Sequence, residues 1–165
     1  MPEKTPAAPA SLRLALPLPP SVNSQYATVG RRRVLSAEAR SFNRDVDKTI
    51  AQLRGKGLLL PSIERSFGQS LLGVYLDYFF ATPHRRDLDG GLKITLDALG
   101  RALGFDDRAI VDVHLSKRID PLRPRVEVEI ETITEWEFDR TYYYLGASDG
   151  EGDEKTGDDD RDDPP

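Results

Sequence analysis

With 165 residues and no cysteine, the chain is the size of one ordinary domain and has no means of making disulfides, thiolate zinc sites or cysteine nucleophiles. Its net charge of −5 is unevenly spread: residues 147–165 carry nine acids against two bases, and the remainder holds 21 Lys and Arg against 19 Asp and Glu, so a polyanion stays open as a partner. No apolar run is long enough to span a bilayer, and MPEKTPAAPA has Pro and Ala where a secretory signal would have its hydrophobic stretch; a soluble protein of the reducing cytoplasm is expected, without membrane association.

Residues 1–10, rich in Pro and Ala, and the acidic residues 147–165 lack the aliphatic side chains a core needs and are expected to be disordered, leaving one domain over 11–146. Leu12, Leu14 and Leu16 alternate as in a half-buried strand, which PLPPSVN must end near Pro17. Ser36 is placed to cap a helix in which Ala39, Phe42, Val46, Ile50 and Leu53 recur every three or four residues, until Gly55 and Gly57 stop it.

The segment LLGVYLDYFF (71–80) is apolar at nearly every position, as expected of a central strand covered on both faces. Leu92, Leu96, Leu99 and Leu103 then define one face of a second helix over roughly 89–103. Val111, Val113 and Leu115, and later Val126, Val128 and Ile130, alternate with polar residues in two further strands, with PLRP (121–124) as the turn of a closing hairpin. The expected fold is α+β: a two-layer domain whose mixed or antiparallel sheet carries two main helices on one face.

Chemistry concentrates in HRRDLDGGLKITLDALGRALGFDDRAIVDV (84–113), where acids follow a strand and then a helix. In an extended segment Asp87 and Asp89 point to the same side, Lys93 lies one helical turn further on, and one of Asp106 and Asp107 can face the same point. Three carboxylates and a lysine suit Mg²⁺ or Mn²⁺ acting on a phosphate ester: the ion polarises the phosphodiester and activates water, while Lys93 offsets charge on the phosphorane. Alone, Asp-Leu-Asp reads first as a helix cap; it also occurs in nucleotide-sugar transferases, which would need a larger nucleotide-binding domain than this chain holds, so no nucleotide cofactor is expected. The ordered combination of Asp-x-Asp, Lys and Asp-Asp is what favours the phosphodiesterase reading.

RRDLDGGLK, TLDAL and GFDDRAIVDVHLSKR closely resemble the core of the RusA family of Holliday junction resolvases, and PLPPSVNSQY is similar to that family's start. The resemblance runs from about Leu12 to Ile133. It implies a RusA-like fold and a homodimer that binds four-way or branched DNA and makes paired symmetric nicks with Mg²⁺, in recombination and repair. Asp87, Asp89, Lys93 and Asp107 match the family's functional residues, with Asp87, Asp89 and Asp107 holding metal; Asp106 matches the less critical member of the acidic pair and Asp97 an acid one turn after the lysine. One departure is Gly90, where the family usually has Asn. It motivates the rival expectation of a branched-DNA-binding protein of the same fold that is weak or inactive in cleavage.

Arg85 and Arg86, Arg31, Arg32 and Arg33, and Asn23 in the PPSVN turn are candidate DNA contacts, ordinary surface charge and turn geometry being the competing readings. For Lys117 and Arg118 surface charge is the favoured reading. Alternation explains Glu127, Glu129 and Glu131, and His84 and His114 lack metal-ligand spacing.

Overall fold

The alternating leucines of β1 (Ser11–Leu16) bury one face of a strand, as expected from the period of two, and β1 ends at the residue before Pro17. A computed structural model describes residues 9–83 and 86–135; the tails expected to be disordered fall almost wholly outside those residues. Ala10, which is described, is tied to Thr132 in both directions, its N–H donating to Thr132 Oγ1 at 2.9 Å and its carbonyl accepting from Thr132 N at 2.9 Å.

Helix α1 (Ala37–Gly55) begins at Ser36, whose hydroxyl accepts from Ala39 N at 3.0 Å, and buries Ala39, Phe42, Val46 and Ile50. Each large apolar side chain sealed this way contributes about 1.5–3 kcal/mol. A short helix α2 (Pro61–Phe67), not foreseen from the sequence, is held by the fully buried Phe67; seven residues are too few for a periodic signal. Also unforeseen is a hairpin of β2 (Tyr26–Val29) and β3 (Arg32–Leu35), turned at Gly30 with φ +62°. No residue of its two strands is buried, so it lacks the alternating pattern that betrays a half-buried strand.

The main sheet comprises β1, β4 (Leu71–Phe80), β5 (Ile110–Ile119) and β6 (Arg125–Ile133) in the order β1-β6-β4-β5. β4 is interior, as expected, but only one of its faces is sealed: Leu72, Val74, Leu76, Tyr78 and Phe80 are buried while Tyr75, Asp77 and Phe79 are half-buried. The aromatic content of LLGVYLDYFF therefore overstated its burial, because Tyr and Phe tolerate a partly covered face.

The expected hairpin between the last two strands is not formed. β4, helix α3 (Leu92–Leu103) and β5 make a parallel crossover unit, which puts β5 on the edge, and β6 pairs antiparallel with β4 on the other side. The connection at 120–124 instead passes over the end of β4. Asp120 builds it, its N–H donating to Phe80 O and its carboxylate accepting from Leu122 N, Arg123 N and Arg125. Helix α3 starts three residues later than expected because Leu88–Gly91 forms a turn. The architecture is α+β with helices packed on one sheet face, as expected, though with three helices among the described residues rather than two.

Candidate active site at the start of helix α3

The turn entering α3 is closed by Gly90 N donating to Asp87 O at 3.3 Å and Leu92 N to Asp89 O at 2.9 Å. Pro19, from the turn after β1, packs so tightly on it that a Cβ at Gly91 would lie 2.3 Å from Pro19 Cγ. Arg86 adds a second tie between the same segments, donating to Pro19 O at 2.8 Å. The PLPPSVN turn thus buttresses the acidic segment from a point some 70 residues away in sequence.

Two depressions share this turn. One, of about 270 Å³, is lined by Asp89, Leu92, Lys93, Leu96, Asp97 and Asp107. The other, of about 160 Å³, is lined by Asp87 with Asn23, Arg86, Gly90 and Gly91 over a floor of Tyr78 and Phe80. The Tyr78 hydroxyl is buried without a hydrogen-bond partner among the described residues, and burial raises its pKa. Asp89, Lys93 and Asp107 are therefore brought together, while Asp87 opens on the adjoining depression because the residues after it turn rather than extend. Among the described residues no three His, Asp or Glu side chains converge on one point.

Lys93 is held by Asp97 one helical turn on, with Nζ 3.0 Å from each carboxylate oxygen. That hydrogen bond and charge, with a smaller contribution from Asp107, raise the lysine pKa and keep the ammonium protonated. The two adjacent acids after α3 differ in duty. Asp106 caps the following 3₁₀ turn through Arg108 N and pairs with the Arg108 guanidinium at 2.7 Å, which holds its carboxyl well below the usual range. Asp107 is the member that lines the depression with Asp89. Two exposed hard carboxylates with open space around them fit Mg²⁺, which keeps several waters and takes few protein ligands.

The segment carrying these residues is matched by the family model described as Endodeoxyribonuclease RusA, over residues 17–131. The chain belongs to the RusA family. The chain is also similar to the crossover junction endodeoxyribonuclease rusA of Enterobacteria phage HK97, with 28% identity over 120 residues that cover 72% of this chain and 92% of that protein. No helix among the described residues is long and apolar enough to cross a membrane.

Within this RusA-family frame the candidate DNA contacts are spread over two places. Asn23 and Arg86 line the Asp87 depression, while Arg31, Arg32 and Arg33 occupy the turn and the second strand of the β2–β3 hairpin, with Arg33 over the Tyr26 ring at 4.7 Å. Arg85 and His84 lie outside the described residues. His114 stacks on Tyr75 at 4.7 Å and pairs with Asp112, a packing role as expected. Asp97, one helical turn after Lys93, is its direct partner, as the i, i+4 spacing allows. No sequence signal pointed to Pro19 as the buttress of Gly91.

Proposed function

We propose that this protein is a Mg²⁺-dependent, structure-specific endodeoxyribonuclease that resolves four-way DNA junctions by paired symmetric nicks as a homodimer, in recombination and repair. What supports the reading most is the convergence of Asp89, Lys93 and Asp107 on one exposed depression, beside Asp87, in a chain of the RusA family. Asp89 and Asp107 would hold the metal from their shared depression and Asp87 from the adjoining one, with Mn²⁺ able to substitute. When bound, the ion supplies Lewis-acid polarisation of the phosphodiester and a lowered pKa for water.

The chain's own residues do the rest. Lys93, kept protonated by Asp97, exchanges that carboxylate for the scissile phosphate and offsets the charge that grows on it. Arg86 spends one of its donors on Pro19 O and offers the others, with Asn23, to the DNA backbone beside Asp87. Arg31, Arg32 and Arg33 contact phosphates farther along an arm. A two-fold dimer presents two equivalent sites to a two-fold junction, the requirement for clean resolution.

The test is cleavage of a labelled four-way junction against linear duplex of the same sequence, in Mg²⁺ or EDTA, by wild type and Asp107→Asn. Symmetric nicks in the junction, from wild type with Mg²⁺ only, are expected, with a loss of at least about 100-fold in the variant. Equal cutting of the linear duplex, or cutting in EDTA, would overturn the reading.

A further inference from the structure

Lys117 stands on the edge strand β5, and its ammonium donates to two main-chain carbonyls, Pro83 O at 2.9 Å and Arg86 O at 3.0 Å. Both carbonyls belong to the connection from β4 to Asp87. The lysine also stands over the Phe80 ring, 5.5 Å from its centroid. Two of its three donors are thereby spent on backbone, in charge-assisted bonds that tie Pro83 and Arg86 to one point.

A feature of the sheet aims it there. The β4–β5 register runs Leu72 to Ile110 and then Gly73 to Asp112, so Val111 is an extra residue in β5. With that bulge Lys117 lies opposite Tyr78, on the helix-covered face; without it Lys117 would lie opposite Phe79 and point to the open face, away from the loop.

Building on the nuclease reading, we infer that Lys117 is a positioning residue: it holds the Pro83 and Arg86 carbonyls so that Asp87, next in the chain, is presented to the metal, and it is not a DNA contact. A phosphate-binding lysine and a loop-holding lysine predict different losses. The first weakens junction affinity and lowers its salt dependence; the second leaves both intact and impairs the metal-dependent step.

The experiment uses the full chain with Lys117→Met, which keeps the aliphatic stem, and Lys117→Arg, which keeps the charge. Junction affinity is measured in EDTA over a range of salt, single-turnover nicking over a range of Mg²⁺, and Mn²⁺ binding by electron paramagnetic resonance without DNA. Lys117→Met is expected to bind the junction within about twofold of wild type with an unchanged salt slope. It is also expected to bind Mn²⁺ more weakly and to nick roughly 10–100-fold more slowly at limiting Mg²⁺, with most of the rate restored in Lys117→Arg.

Junction affinity that falls together with a salt slope smaller by about one would make Lys117 a phosphate contact and overturn the inference. Wild-type nicking and Mn²⁺ binding in Lys117→Met would overturn it too, as would equal defects in both folded variants. If Lys117→Met does not fold, nicking and Mn²⁺ binding by Lys117→Arg at or near wild-type level support the inference and their loss overturns it. Failure of the wild type itself to nick would sink the nuclease reading, and the Mn²⁺ comparison would then decide the positioning role by itself.

Discussion

Gly90 and Gly91 are neighbours under different constraints. A Cβ at Gly90 would meet only Asp87 O, at 3.4 Å, so the Asn usual in the family fits there; a Cβ at Gly91 would strike the Pro19 ring at 2.3 Å. Gly90→Asn is expected to leave melting and nicking within a few fold of wild type, so the departure from the family pattern is a tolerated one. Gly91→Ala is expected to destabilise by about 1–3 kcal/mol, read by urea unfolding, and to impair nicking by displacing the turn that carries Asp87 and Asp89. The same contrast separates Asp106, consumed by Arg108, from Asp107, open to the depression.

At the level of elements, the β2–β3 hairpin stands apart from the four-stranded sheet, with Val29 and Tyr26 exposed and Arg31, Arg32 and Arg33 along its tip. Ser36 N donating to Gln25 O at 3.0 Å ties its base to the start of α1. A two-stranded ribbon is marginal by itself, which suits an arm that settles only against a partner. Replacing all three arginines with alanine is expected to weaken junction binding and to flatten the log-affinity against log-salt slope by up to about 2.7, each phosphate left without its arginine accounting for about 0.9. The nicking rate at saturating protein should be unchanged. Fluorescence anisotropy over a salt series checks the first, and single-turnover cleavage the second.

For the whole molecule, a two-layer domain that seals one sheet face leaves its site on an exposed rim, at the loops around α3, where a large branched substrate has access. On the proposed reading one such site cuts one strand. On the proposed homodimeric reading, junctions treated with wild type mixed with excess Asp107→Asn are expected to yield single nicks in place of ligatable pairs, as mixed dimers would carry one competent site. Paired nicks persisting in proportion to the wild-type fraction would mean that one chain acts alone on both strands.

Local patterns were enough for β1, α1 with its Ser36 cap, the interior position of β4 and the helical stripe of α3, because each is set by side-chain period and by caps a few residues away. The meeting of Asp89, Lys93 and Asp107 in one depression was likewise legible from their type and order. The pairing partners of β5 and β6, the hairpin at residues 26–35, the turn that parts Asp87 from Asp89, the packing of Pro19 on that turn, and the bonds of Arg86 to Pro19 and of Lys117 to the Arg86 carbonyl were not. Sequence by itself determined the family and the segments on which the candidate acids and Lys93 lie, since residue type and spacing decide that. Tertiary structure alone decided how those residues meet, because carbonyls, proline rings and an extra residue in an edge strand act across separations at which sequence has no period to show.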